Sequence, residues 1–146
     1  MKRFCIIVCF VVLLGSLFGC STEVGESKVT VALASEEQAA DKDNFTHFYD
    51  ESSGGEWKLI FTVNKKVKDF CFLELDESEK LKIADTVFSL DTFSDDSPLV
   101  VHTYINDATV NRGISFVDGG GETRYYGIYW SAKDGEISLK EITFDE

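Results

Sequence analysis

Residues 112–131, RGISFVDGGGETRYYGIYWS, contain the pattern that decides the fold. Two runs rich in β-branched and aromatic residues, 112–117 and 123–131, flank Asp118 and a glycine triplet. Glycine adopts positive φ without steric cost, and an Asp-Gly pair between apolar runs is a strong hairpin signal. The stretch therefore predicts two antiparallel strands joined by a tight turn.

Short apolar runs separated by turn residues continue on both sides of this hairpin. The other predicted strands are residues 56–64, 67–75, 81–90, 99–105 and 136–144. Strand 67–75 is apolar on both faces, which predicts a place inside a sheet. Segment 81–90 is interpreted as a strand, although residues 77–84 also fit two helical turns. In 136–144 the apolar spacing shifts, which predicts a bulge near Lys140. About seven short strands predict an all-β fold, a small antiparallel β-sandwich, with a partly open β-barrel as the alternative.

The N-terminal residues 1–20, MKRFCIIVCFVVLLGSLFGC, have the three-part plan of a secretory signal. A basic start precedes an apolar run from Phe4 to Leu14, which Gly15 and Ser16 interrupt. A membrane-spanning helix needs about 20 apolar residues, and this run is shorter. Export, rather than a permanent membrane span, is therefore predicted.

The end of this segment, Leu17–Phe18–Gly19–Cys20, resembles the lipobox of bacterial lipoproteins. Leu17, Gly19 and Cys20 match the family pattern, while Phe18 is larger than the residue usual there. The resemblance implies cleavage before Cys20, thioether attachment of diacylglycerol to its sulfur, and often acylation of the new amine, for example by palmitate. It implies a protein anchored by lipid to the extracytoplasmic face of the cell membrane or the outer membrane.

The resemblance and the composition together divide the chain into three parts. Residues 1–19 are the signal peptide, residues 20–44 the lipidated cysteine and a flexible tether, and residues 45–146 the all-β domain. The tether is expected because residues 21–44 are small and polar. Val29, Val31 and Leu33 interrupt that composition, and a short edge strand is the alternative for them.

The charge of the chain restricts its partners. The net charge is −12, and it becomes −14 once Lys2 and Arg3 leave with the signal peptide. A field of that sign repels nucleic acid and anionic headgroups and attracts cations or a basic protein. No nucleic-acid partner is predicted, and a basic protein or a glycan is the expected partner besides the membrane.

Residues suited to catalysis or metal binding are few. Cys71 lies between two phenylalanines and is interpreted as a small buried hydrophobe. His102 lies in an apolar run and is interpreted as structural, and His47 is the other imidazole of the domain. Two acidic groups contain oxygen ligands suited to calcium but lack the order of a dedicated calcium loop: Asp91, Asp95 and Asp96, and Asp41, Asp43, Asp50 and Glu51. No catalytic residue, metal or cofactor is predicted.

The binding face is predicted on strand 123–131. Alternation places Tyr126, Ile128 and Trp130 toward the core and Tyr125 and Tyr129 outward, with Gly127 opening a flat slot between the two rings. The alternative is that these rings cover Gly127 and stabilise the sheet. The predicted function is binding of an extracytoplasmic protein or glycan without catalysis. A small carboxylate-dependent hydrolase and a purely structural envelope protein are the alternatives.

Overall fold

The computed structural model describes residues 26–52 and 54–144, which form two sheets packed face to face. Their elements in chain order are β1 (Val29–Leu33), α1 (Glu36–Ala40), β2 (Thr46–Tyr49), β3 (Trp57–Val63), β4 (Val67–Asp76), β5 (Lys82–Phe93), β6 (Leu99–Thr103), β7 (Arg112–Val117), β8 (Thr123–Ser131) and β9 (Glu136–Glu141). The four-stranded sheet has the order β1-β3-β6-β2, and the five-stranded sheet has the order β5-β4-β7-β8-β9. The predicted β-sandwich is confirmed.

The core between the sheets is built from alternating apolar side chains. Leu59 and Phe61 of β3 are completely buried, as the alternation of that strand predicts. Phe70 and Phe72 of β4 meet them from the other sheet, and the Phe61 ring lies edge-on to both at centroid distances of 6.1 Å. Burying one such ring contributes about 1.5–3 kcal/mol, so these phenylalanine rings are a main source of the fold's stability.

Strand β4 lies inside its sheet, between β5 and β7, as its two apolar faces predict. Phe70 and Phe72 point into the sandwich, whereas Leu73 and Leu75 are buried on the outer face. There they pack with Val110 and with other apolar side chains in a second, smaller cluster, which is called the outer cluster below. The sandwich therefore has apolar packing on both sides of its five-stranded sheet.

The expected tether of residues 20–44 is wrong over residues 29–40, and the alternative of a short edge strand is confirmed. Strand β1 pairs with β3 from Val29↔Val63 to Leu33↔Leu59, and Val29 enters the core. Helix α1 follows, and Ser35 caps it by accepting from the backbone N–H of Gln38 at 3.1 Å. Composition suggested a tether because this stretch is small and polar. Three alternating apolar residues were enough to form a strand, because the edge of β3 offers them a partner.

The segments 81–90 and 136–144 had different outcomes. The first is a strand as predicted, and β5 continues past residue 90 to Phe93, whose ring is buried. The bulge near Lys140 is wrong, because β8 and β9 pair without a register shift from Ser131↔Glu136 to Tyr126↔Glu141. The shifted spacing has another cause, because Ile142 lies beyond β9 and packs in the outer cluster.

Candidate functional site

One end of the sandwich collects polar and aromatic side chains from both sheets. Strands β2 and β6 run parallel, with Tyr49 opposite His102 in their register. Asp50 follows β2, Thr103 ends β6, and Arg112 begins β7 in the other sheet. The strand ends thus bring together residues that are far apart in the sequence.

A buried ion pair between Asp50 and Arg112 supports this end. Asp50 and Arg112 are 2% and 4% exposed. One carboxylate oxygen of Asp50 accepts from Nε and Nη2 of Arg112, both at 2.9 Å, and from the Thr103 hydroxyl at 2.7 Å. The other oxygen accepts from the hydroxyl and the backbone N–H of Ser52, at 2.5 and 3.2 Å. This network links the two sheets through one carboxylate.

The ionised state of Asp50 follows from that network. Burial opposes its charged form, but the hydrogen bonds from Ser52, Thr103 and Arg112 and the charge of Arg112 outweigh this cost and lower the pKa of the carboxyl. Its oxygens are already occupied by donors. Asp50 is therefore a support of the site and is poorly placed to act as a calcium ligand or a proton carrier.

Three aromatic rings, those of Tyr49, His47 and His102, lie together next to the residues of this ion pair and are called the aromatic layer below. The Tyr49 ring stacks on His102 with centroids 4.1 Å apart and an interplanar angle of 14°. His47 lies beside them, with its Nδ1 3.2 Å from Nε2 of His102. Nε2 of His47 is 2.9 Å from the Asp41 carbonyl oxygen and donates to it, because a carbonyl oxygen can only accept. Nδ1 of His47 shares the second hydrogen bond with His102, so both nitrogens of the His47 ring are engaged.

His102 is held in its neutral form. Its burial lowers the pKa of the imidazole from the usual 6.5, and the charges of His47, Lys58 and Lys42 lower it further. A neutral His102 therefore stacks on Tyr49 without adding positive charge beneath the ring.

An open cavity of about 410 Å³ lies beside this layer. It is lined by Tyr49, Asp50, Glu51, Gly54, Gly55 and His102. The backbone at Gly54 and Gly55 has φ values of 79° and 66°, a conformation that favours glycine. Tyr49 is 48% exposed, and Lys42 Nζ lies over its ring, 5.9 Å from the centroid. The cavity therefore combines an exposed aromatic ring with the carboxylate of Glu51.

The predicted binding residues Tyr125 and Tyr129 lie on the outer face of the five-stranded sheet. Ile128 faces the core between the sheets, so the predicted alternation is confirmed. Both tyrosine rings are half-buried against the outer cluster. A Cβ placed on Gly127 would lie 2.9 Å from Cε2 of Tyr129, so this ring already covers the glycine. The expected open slot is wrong, and the alternative describes Tyr129, whose ring covers Gly127, while the Tyr125 ring packs edge-on against Phe144.

The other candidate residues are separated from one another. Cys71 Sγ is 3.6 Å from the Asp69 carbonyl oxygen and packs against the outer cluster, away from the histidines. His102 is buried, as expected, but it also lines the cavity. Within residues 26–52 and 54–144, no three His, Cys, Asp or Glu side chains are placed to hold a metal ion.

An acidic cavity lies elsewhere, between β4 and the segment before β7. It has a volume of about 480 Å³, and Glu74, Asp76 and Glu77 line it. Hydrogen bonds from the backbone and side chain of Ser78 and from Lys82 lower the pKa of Asp76 to about 2. The general acid of a glycoside hydrolase needs a raised pKa, so Asp76 is unsuited to that role.

Sequence reasoning missed the Tyr49 cavity because it joins two distant stretches of the chain, residues 49–55 and His102. The parallel pairing of β2 with β6 brings them together, and a four-residue strand gives a weak periodic signal. The available signal was chemical. A Tyr-Asp-Glu run, residues 49–51, is followed by Gly54 and Gly55, which are typical turn residues.

Comparison with protein families, with curated proteins and with solved structures finds no match for this chain. Across the described residues, no helix is long and apolar enough to cross a membrane. Cys20 and the signal segment 1–19 lie outside the described residues. Arguments about function therefore rest on the N-terminal sequence and on the geometry of the domain.

Proposed function

We propose that this chain is an exported lipoprotein whose β-sandwich binds an extracytoplasmic protein or glycan without catalysis. The anchor is diacylglycerol on Cys20, and the domain is held at the extracytoplasmic face of the cell membrane or the outer membrane. The match of Leu17, Gly19 and Cys20 to the lipobox supports this anchor. Each buried methylene contributes about 0.8 kcal/mol, so two or more acyl chains give stable attachment.

The observation that carries the binding role is the exposed Tyr49 ring at the edge of the 410 Å³ cavity. Stacking on His102 fixes the ring, and the Asp50–Arg112 pair fixes the strand ends beneath it. A preorganised aromatic side chain with a polar tip is typical of binding hot spots, because ordering it on binding costs little entropy. These observations support Tyr49, rather than Tyr125 and Tyr129, as the residue that meets the partner.

Binding without catalysis is favoured because the chemically versatile groups of this site are already engaged. His47 and His102 bond to each other, and Asp50 is held by Arg112. General acid–base catalysis requires a group that exchanges a proton with the substrate. These side chains serve instead to hold Tyr49 in place.

The anchor is tested by Cys20→Ala in the full chain, expressed in a bacterium and labelled with palmitate. The variant is expected to carry no label, and either to keep its uncleaved signal segment, seen as a larger mass, or to leave the detergent phase of a cloud-point separation. Cys71→Ser, which removes a cysteine of the body, is the matched control and is expected to keep both properties. Equal labelling of Cys20→Ala and wild type would refute the lipoprotein assignment.

The binding face is tested by photo-crosslinking from within the living cell. A benzophenone amino acid replaces Glu56, an exposed residue next to the cavity-lining Gly55, in one variant and Ser138, an exposed residue of β9, in another. Benzophenones insert into C–H bonds, so both protein and glycan partners form adducts. Position 56 is expected to give a discrete adduct that position 138 does not. Identical patterns at the two positions, or no adduct at either, would contradict the proposal.

A further inference from the structure

The Tyr49 ring already interacts with a positive charge of the chain itself. Lys42 Nζ lies over the ring at 5.9 Å from its centroid. The negative face of an aromatic ring attracts cations within about 6 Å, so Lys42 lies at the outer limit of this attraction. The ring can therefore attract a cation, and Lys42 makes only a long, weak contact with the ring face.

The charges around the ring are of both signs. Lys58 lies opposite His102 in the strand register, and its charge is offset by an ion pair with Glu36 at 2.9 Å. Burial lowers the pKa of His102, which lies beneath the ring, and so favours its neutral form. Glu51 adds an exposed carboxylate to the cavity. Asp41, next to Lys42 in the chain, is also ionised, because hydrogen bonds from Asn44 lower its pKa. Asp50 contributes little net charge, because Arg112 neutralises it.

We infer that the Tyr49 cavity binds a lysine or arginine side chain of a basic extracytoplasmic protein, which displaces Lys42 from the ring. This inference rests on the proposed binding function and specifies its ligand. A cation over Tyr49 contacts the ring and approaches Glu51 at the same time. The net charge of −12 gives the whole surface the complementary sign, which accelerates association with a basic partner. A neutral sugar would gain no electrostatic attraction from Glu51 or from the net negative charge of the chain.

The test measures binding of two fluorescent peptides to the full chain in non-ionic detergent micelles. One peptide contains two lysines between glycines, and the other contains trimethyllysine at the same places. Trimethylation keeps the charge and the attraction to the ring but removes the N–H donors of an ordinary ion pair. Both peptides are expected to bind, the trimethylated one at least as tightly.

Substitutions at the ring and at its own lysine separate this site from general charge attraction. Tyr49→Leu is expected to weaken binding about 3- to 30-fold, the range of a partly desolvated cation–π contact, while Tyr49→Phe keeps the ring and stays within about twofold. Lys42→Ala is expected to strengthen binding about two- to fivefold by removing the competitor. Lys140→Ala is the matched control, because it removes the same charge from over the other ring, Tyr129, at 4.7 Å.

Each alternative outcome has a distinct meaning. Equal gains from Lys42→Ala and Lys140→Ala would reduce the effect to net charge and overturn the inference, as would unchanged binding in Tyr49→Leu. Loss of binding on trimethylation would show that the peptide is held by hydrogen bonds to carboxylates and not by the ring, and it would also overturn the inference. If a neutral oligosaccharide binds and neither peptide does, while the adduct from position 56 remains, the cation inference fails and the proposed binding function stands.

Discussion

Two tyrosine surfaces of this sandwich look alike in sequence and differ in what surrounds them. Tyr49 and Tyr129 both lie near glycines, and each has a lysine over its ring. Tyr129 covers Gly127 and packs on the outer cluster, whereas Tyr49 stacks on His102 and borders an open cavity. Alternation along a strand therefore tells which face a ring is on. What covers that face depends on segments distant in the sequence.

The largest expected effect is on the support beneath Tyr49. Asp50→Ala leaves the buried Arg112 without its main partner, and Arg112→Ala leaves a buried carboxylate. Each is expected to lower the free energy of unfolding by about 3–5 kcal/mol, because an unpaired charge is then buried. Urea denaturation of the purified chain measures this loss.

An apolar double variant shows whether the loss comes from the pair or from packing. Asp50→Leu combined with Arg112→Met removes both charges and is expected to be more stable than either alanine variant. A loss below about 1 kcal/mol in both single variants would contradict the buried pair.

The next largest effect separates the two tyrosine surfaces directly. Tyr125→Ala and Tyr129→Ala are each expected to cost more than about 2 kcal/mol, because both rings pack against the outer cluster. Tyr49→Ala is expected to cost less than about 1 kcal/mol, because that ring is 48% exposed. Equal unfolding midpoints for the three variants would remove the distinction between the surfaces.

Much of the fold was predictable from local pattern. The hairpin of residues 112–131 appears as β7 and β8 with the predicted bounds, because apolar alternation and turn glycines agree there. The edge strand β1 was only the alternative to a tether, and the parallel pairing of β2 with β6 was not predictable, because each is a short strand completed by a distant partner. The Tyr49 cavity depends on the second of these pairings. Charge and alternation indicated an acidic all-β domain but not the position of this cavity.

A smaller effect is expected from Gly127→Ala. The added Cβ would lie 2.9 Å from Cε2 of Tyr129 and 3.0 Å from Cγ1 of Val110, so neighbours must move, at a cost of about 1–3 kcal/mol. In a Tyr129→Ala background the same change is expected to cost less, because the ring that it meets is gone. Strict additivity in a double-mutant cycle of thermal unfolding would show that Tyr129 does not cover Gly127.

The smallest effect concerns pH at the aromatic layer. The pKa of His102 is lower in the folded protein than its usual 6.5, so the unfolded chain binds more protons between those two values. Stability is therefore expected to fall as the pH decreases below about 6.5, whereas the contribution of Asp50 is lost only below its usual 3.8. Urea midpoints at pH 7.5 and 5.5 measure the first change, and His102→Gln is expected to reduce it. An unaltered difference in that variant would assign the pH dependence to other groups.

The central claim is that the exposed Tyr49 ring, and not the packed pair Tyr125 and Tyr129, meets the partner. The most direct measurement is the yield of the photo-crosslinked adduct from position 56 in chains that also carry Tyr49→Leu, or Tyr125→Leu with Tyr129→Leu. Leucine keeps an apolar side chain, and circular dichroism confirms that each variant is folded. We expect the adduct yield to fall with Tyr49→Leu and to stay unchanged with the double variant. An adduct yield that is unchanged with Tyr49→Leu and falls with the folded double variant would contradict the claim.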